Sequence, residues 1–364
     1  MNKNFYAVIM AGGIGSRFWP MSRTETPKQF IDILGTGESL IRQTFLRLNK
    51  ICPAENIFVV TSEQYQLLTL EHLPELKPSN VLCEPVRRNT APCIAYANYK
   101  ILTKNPDAQV IVAPSDHIIL KEDVFINVAT EALNESGKHD CLITLGITPS
   151  RPDTGYGYIQ IDEDSNEKLN DKILKVKTFT EKPNFEMATF FLKSGDFVWN
   201  SGIFIWSAKS IQRAFQKYLP EIDELFAKGK SMYDTSLEKE FIEKTYYICK
   251  SISIDYGVME KADNVFVYQT DFGWSDLGTW VSLFDNSNRD ENNNACIGSE
   301  ILTYDTENSV IVSHNKNKLV VIQGLNDVIV VDEGDVLLIC NKNNEQKIKD
   351  IVDDVKQKYN EKYI

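Results

Sequence analysis

The sequence predicts an α/β fold: a doubly wound, mainly parallel sheet with an antiparallel insertion, then a small β domain and a closing helix. Three observations lead to it. Apolar strand-like runs alternate with amphipathic stretches from Tyr6 to Leu145, the pattern of a parallel sheet with helices on both faces. From Thr154 the texture turns to strands that read as antiparallel. Past the polar run 285–294, which has no apolar anchor, short β-type runs recur about every nine residues. A domain boundary placed at this run gives a larger domain over 1–285 and a smaller one over 295–364.

Each element has its own local warrant. The run Tyr6-Ala-Val-Ile-Met-Ala11 passes straight into a glycine-rich turn. Ser39 can cap a helix that puts Ile41, Phe45 and Leu48 on one face. Residues 56–61, 110–113 and 141–145 read as strands, and 91–102 and 122–133 as helices. In such sheets ligands sit at the carboxyl ends of the strands. The glycine turn, Pro114-Ser-Asp-His117 and residues 271–276 each follow an apolar strand and are expected to meet there. Segments 155–160, 173–182 and 197–206 read as the antiparallel insertion, and 210–226, 236–245 and 254–262 as helical. The runs 309–313, 318–322, 327–331 and 336–340 suggest stacked coils, short and β-helix-like, closed by a charged helix over 346–359. A packing or assembly role is expected for this part, which shows no chemistry of its own.

Composition narrows the partners. The 364 residues carry a net charge of −12, which argues against nucleic acid or an anionic membrane, since both reward positive surface. Anionic substrates would therefore need a locally positive or metal-bearing site. The seven cysteines are scattered, with no C-x-x-C pair, which fits reduced thiols in the cytoplasm rather than a disulfide frame or a zinc site. The first apolar run is too short for a signal peptide, and no later run is long enough to span a bilayer.

The chemistry starts at Gly12-Gly-Ile-Gly-Ser-Arg17, followed by Arg23 and Pro27-Lys-Gln-Phe30. Consecutive amides in a glycine turn form a nest for anions, and the cations that follow can neutralise a polyphosphate. The dinucleotide fingerprint fails because Phe18 stands at its third glycine, and the G-x-x-x-x-G-K-[ST] phosphate loop has no match. The remaining pattern reads as a nucleoside triphosphate site.

With Glu84-Pro-Val-Arg-Arg-Asn-Thr-Ala-Pro92, Pro114-Ser-Asp-His117, Gly155-Tyr-Gly-Tyr158, Glu181-Lys-Pro183, Trp199-Asn-Ser-Gly202 and Gly273-Trp-Ser-Asp-Leu-Gly278 in the same order, the chain resembles the sugar-1-phosphate nucleotidyltransferases. The Pro-Lys-Gln-Phe and Arg-Asn-Thr-Ala-Pro segments make it most similar to their guanylyl branch. Ser16 and Phe18 depart mildly from the usual pattern, and neither departure removes a charge. The resemblance implies a Rossmann-like catalytic domain and an Mg²⁺-dependent transfer. GTP and mannose 1-phosphate would give GDP-mannose and pyrophosphate, with a homodimer suggested by family habit. Members with a fused isomerase carry a further cupin domain that this sequence lacks, so transfer alone is expected.

The resemblance also assigns residues. Arg17 and Lys28 would hold the triphosphate, with Lys28 alternatively at the sugar phosphate. Asp116 and Asp276 would hold Mg²⁺, although Asp276 could instead cap the helix of Trp280 and Asp116 could be a turn residue. Ala11, Gly12, Gly13, Gly15, Ser16, Glu84, Pro85, Asn89 and Thr90 would bind the nucleotide, with capping as the other reading of Asn89 and Thr90. Gly157, Glu181, Asn200 and, more weakly, Asp255 would bind the hexose. A thymidylyl-, adenylyl- or uridylyltransferase acting on glucose 1-phosphate and a non-catalytic nucleotide-sugar sensor remain as alternatives.

Overall fold

The computed structural model describes residues 2–13, 15–315 and 317–364, so Met1, Lys316 and Ile14 of the glycine turn lie outside the described residues. Packing groups the chain into two compact units, each drawn from separate stretches of sequence. The first comprises Met1–Gly12, Thr44–Ser115 and Ile119–Trp274, and the second Gly13–Gln43, Asp116–Ile118 and Ser275–Ile364.

Among its described residues, the first unit holds a nine-stranded sheet. Its strands are β1 (Phe5–Ala11), β2 (Ile57–Ser62), β3 (Val81–Glu84), β4 (Gln109–Pro114), β5 (Leu142–Ile147), β6 (Tyr158–Ile161), β7 (Ile173–Thr180), β8 (Phe197–Ser207) and β9 (Val265–Thr270). Their order is β3-β2-β1-β4-β8-β5-β9-β7-β6. Strands β3 to β4 in this order pair in parallel, as do β5 and β9. Almost every position of β1 is buried, as a strand covered on both faces requires. The antiparallel strands do not stand apart from this sheet. β8 runs between β4 and β5, antiparallel to both, and β7 and β6 continue from β9. The reason lies in β8, where Phe197, Val198, Trp199, Ile203, Phe204, Ile205 and Trp206 are all buried, so the strand needs cover on both faces.

Helices of this unit include α1 (Thr90–Lys104), α2 (Glu122–Ser136), α3 (Ala208–Tyr218), α4 (Pro220–Ala227) and α5 (Glu238–Ile248). The stretch 210–226, expected to be helical, forms two helices, because Pro220 has no amide to continue α3 and serves as the first residue of α4. The stretch 254–262 reduces to one π-helical turn, Asp255–Met259. Ser39 precedes a helix, Leu40–Leu48, whose Ile41, Phe45 and Leu48 are buried.

The second unit stacks short strands: β10 (Ala295–Gly298), β11 (Ile301–Tyr304), β12 (Val310–Ser313), β13 (Val320–Gln323), β14 (Val328–Glu333) and β15 (Val336–Asn341). β10, β12 and β14 pair in parallel, as do β11 and β13, while β15 turns back antiparallel on β14. Polar side chains bond backbone or side chain 19 residues away, for example Glu307 to Asn326 and Ser313 to Asp332. One coil of this β-helix therefore spans two of the short runs seen in the sequence. The helices α6 (Trp280–Asp285) and α7 (Ile348–Tyr359) complete the unit. Its core joins Val310, Val312, Ile329 and Val331 of the coils to Phe18 and Trp19, which follow the glycine turn, and to Trp280.

Candidate active site

In the second unit a carboxylate and a backbone carbonyl converge on one ammonium. Lys28 Nζ donates to Asp116 Oδ2 at 3.0 Å and to the Asp276 carbonyl at 2.9 Å, and the Lys28 side chain is only 4% exposed. Gly15 sets this up. Its φ of +73° suits glycine, and a Cβ there would stand 2.5 Å from the Cβ of Lys28. Leu277 is fully buried with φ +46°, a strained conformation for a branched side chain, and it directly follows the carbonyl that receives Lys28.

These residues line a cavity of about 360 Å³ together with Ser16, Arg17, His117, Gly278 and Lys349. Arg17 is exposed to it, and Lys349 comes from the first turn of α7. Burial pushes the Asp116 carboxyl up, but the charges of Lys28 and His117 and the Lys28 hydrogen bond outweigh it and hold the group below its ordinary value. The cavity therefore gathers cations around two carboxylates in an acidic chain, an arrangement suited to polyphosphate. Asp276 is not the helix cap. Thr279 accepts from Ser282 N in a capping box, while Asp276 Oδ1 accepts from Gly278 N at 3.0 Å. Gly13 is exposed, and its carbonyl accepts from the Gln29 amide at 3.0 Å.

The first unit carries two further clusters. In one, Glu84 ends β3 with its Oε2 beside Gly12, where an added Cβ would lie 3.5 Å away. The Tyr246 hydroxyl donates to Glu84 Oε1 at 3.1 Å. Burial raises the Glu84 carboxyl to about 7 against the Tyr246 hydrogen bond and the charge of Arg87. The Ala11 carbonyl accepts from Thr61 Oγ1 at 2.9 Å. Asn89 is the N-cap of α1, at φ +69°, and the Thr90 hydroxyl accepts from Ile254 N at 2.8 Å, so both side chains hold the backbone. Pro85 lines a different cavity, of about 450 Å³, with Lys100 and Glu238. The buried lysine of that cavity is already paired, at 2.7 Å, with Glu238.

In the other cluster, Gly157, Glu181, Asn200 and Asp255 meet. Asn200 N donates to Gly157 O at 2.8 Å and Asn200 Nδ2 to Asp255 Oδ1 at 3.0 Å. A Cβ on Gly157 would collide with the Glu181 carboxylate, which also pairs with Lys182. Burial, reinforced by the charge of Glu181, raises Asp255 to about 6. Two carboxylates and an amide give acceptors and a donor for vicinal hydroxyls. Tyr156 and Trp199, the sequence neighbours of Gly157 and Asn200, pack edge-on with ring centroids 5.0 Å apart. Lys349 and Tyr246 escape the sequence reading, because each sits in an ordinary amphipathic helix with no motif around it.

Comparisons with known proteins identify the family. A family model described as nucleotidyl transferase matches residues 6–293, and one described as a MannoseP isomerase/GMP-like beta-helix domain matches 299–355. The chain is 38% identical to mannose-1-phosphate guanylyltransferase 2 of Escherichia coli O157:H7, over 98% of this chain and 75% of that protein. It is likewise 38% identical to a mannose-1-phosphate guanylyltransferase of Salmonella montevideo, over 96% of this chain and 73% of that one. A solved structure named mannose-1-phosphate geranyltransferase, from Thermus thermophilus, superposes with a TM-score of 0.86 at 27% identity, covering 97% of this chain and 99% of that chain. The chain therefore belongs to the nucleotidyl transferase family, among the mannose-1-phosphate guanylyltransferases.

Proposed function

We propose that the chain joins GTP and α-D-mannose 1-phosphate into GDP-mannose, releasing pyrophosphate. The observation that carries this reading is the Lys28 ammonium held between Asp116 and Asp276 in a cavity that also receives Arg17. An oxygen of the sugar phosphate attacks the α-phosphorus of GTP, and the bond from that phosphorus to the α,β-bridging oxygen breaks. With a second phosphate pKa near 6, the nucleophile is largely deprotonated at neutral pH, so no histidine base is required. Catalysis then rests on alignment and on stabilising the charge that builds on the leaving pyrophosphate. Arg17 and Lys28 supply that stabilisation. Glu84 accepts from the N1–H and 2-amino donors of guanine, while Glu181, Asn200 and Asp255 take the mannosyl hydroxyls.

The donor set at the phosphate cavity fits Mg²⁺. Asp116 and Asp276 offer hard oxygen donors, which suits an ion that takes much of its shell from phosphate and water. Bound there, Mg²⁺ would neutralise phosphate charge and favour the departure of pyrophosphate.

A cytoplasmic setting and a homodimer joined through the C-terminal β unit belong to the same reading. Among the described residues no helix is long and apolar enough to cross a membrane. Exposed Leu302 and Val321, in register on β11 and β13, support pairing of two copies. The reaction is tested by pyrophosphate release from GTP, ATP, UTP and dTTP, each with mannose 1-phosphate or glucose 1-phosphate. GTP with mannose 1-phosphate should be fastest, and chelation of Mg²⁺ should abolish it. Preference for another pair, or GDP-mannose binding without turnover, would contradict the proposal.

A further inference from the structure

The carboxylate assigned to guanine has a partner that no sequence motif marks. Tyr246 is fully buried on α5, and its hydroxyl lies 3.1 Å from Glu84 Oε1 and 3.3 Å from the Pro92 carbonyl. The helix is clamped to the motif that follows Glu84. Arg88 Nε donates to the Tyr246 carbonyl at 2.9 Å and its Nη2 to the Tyr247 carbonyl at 3.0 Å. Backbone bonds from Ile252 N to Arg88 O, and from Ala91 N to Ile252 O, continue the tie. The ring of Tyr246 is wedged edge-on against Tyr96 and Phe226.

We propose that Tyr246 is a positioning residue for base recognition: it holds Glu84 Oε1 so that Oε2, beside Gly12, faces the donor edge of guanine. The inference rests on the guanylyl-transfer reading and deepens it. The hydroxyl has one proton and two acceptors within reach, so it serves both states of Glu84. With the carboxylate ionised, Tyr246 donates to Oε1. With Glu84 protonated, the carboxyl can donate to the tyrosine oxygen, whose own proton turns to Pro92 O. Guanine presents N–H donors and selects the ionised state. Arg87 favours that state by its charge, burial opposes it, and the Cys93 thiol nearby is itself held protonated by burial. Losing the tyrosine donor therefore weakens the reader of the base and leaves the phosphate chemistry in place.

The test compares wild type, Tyr246→Phe and Glu84→Gln by steady-state pyrophosphate release with GTP and with ITP, which lacks the 2-amino group, from pH 6 to 9. For Tyr246→Phe the KM for GTP should rise roughly ten- to a hundredfold, the effect of losing a hydrogen bond to a charged group, while kcat falls far less. The preference for GTP over ITP should shrink, and the pH at which GTP binding is half-maximal should move up. Thermal unfolding of both variants separates recognition from misfolding, since a folding defect lowers the amount of active enzyme without changing the GTP-to-ITP ratio. An unchanged ratio and pH profile in Tyr246→Phe, with Glu84→Gln impaired, overturns the inference and leaves guanylyl transfer standing. Unimpaired Glu84→Gln overturns the base-reading role of Glu84 and this inference with it. A wild-type enzyme inactive with GTP overturns the functional reading instead.

Discussion

Lys28 is the residue on which the proposed phosphate cavity turns, because its one ammonium satisfies a carboxylate and a carbonyl at once. Replacing it with alanine should lower kcat by about 10²–10³-fold, the size seen when one preorganised donor to developing charge is lost. Near-normal kcat would remove Lys28 from the chemistry. Glu84 makes a second residue-level prediction, through its proton. Its folded value, about 7, lies above its ordinary 4.5, so the folded state binds a proton that the unfolded state has released between those pH values. Stability must then fall as pH rises through this window. Glu84→Gln carries no charge to bury, and it should match wild type near pH 5 and exceed it by about 2–3 kcal/mol at pH 8 in chemical denaturation. A variant less stable than wild type at pH 8 would contradict the burial argument.

At the scale of elements, two turns present functional groups through glycine. Gly157→Ala would push its methyl into the Glu181 carboxylate, and the KM for mannose 1-phosphate should rise about ten- to a hundredfold with the KM for GTP little changed. The first turn of α7 offers a further check, because Lys349 lines the cavity from a part of the chain whose sequence shows no chemistry. Lys349→Ala should raise the KM for pyrophosphate in the reverse reaction several-fold. Some of this is legible in the sequence and some is not, for physical reasons. The glycine turn, Lys28 and the two aspartates are visible because backbone approach and charge demand particular residue types. β3 is hard to see because it is four residues long, Val-Leu-Cys-Glu, bounded by Pro78 on one side and Pro85 on the other. Asn89 and Thr90 carry a motif, yet their side chains are spent on capping α1 and tethering Ile254. The spacing of about nine residues in the last segment is half a coil, since each turn of the β-helix uses two strands. β10 and β11 give a weak signal in that region, since β10 buries only alternate positions and β11 buries none fully.

For the whole molecule, packing crosses the order of the sequence. The segment carrying Arg17 and Lys28 shares a core with the β-helix. Phe18 packs on Trp280 with ring centroids 4.9 Å apart, Trp19 Nε1 donates to the Tyr363 carbonyl at 2.6 Å, and Arg23 pairs with Asp335 at 2.7 Å. The second unit thus helps to fix the segment that carries Arg17 and Lys28. Ile329→Ala, a truncation in the shared core, should cost about 2–5 kcal/mol and also lower turnover, although Ile329 is not among the residues lining the phosphate cavity. Full turnover in a destabilised Ile329→Ala enzyme would show that the turn holds its shape without that support. In the proposed reaction Asp116 and Asp276 act as one Mg²⁺-holding pair on the triphosphate. Asp276→Asn removes charge yet keeps an acceptor for Gly278 N, so it isolates that claim. The deciding measurement is the rate of pyrophosphate release by this variant across an Mg²⁺ titration. A lower kcat is expected, with half-saturation moved to at least about tenfold higher Mg²⁺, the scale of losing one charged ligand interaction. Full activity with an unchanged Mg²⁺ dependence would contradict it.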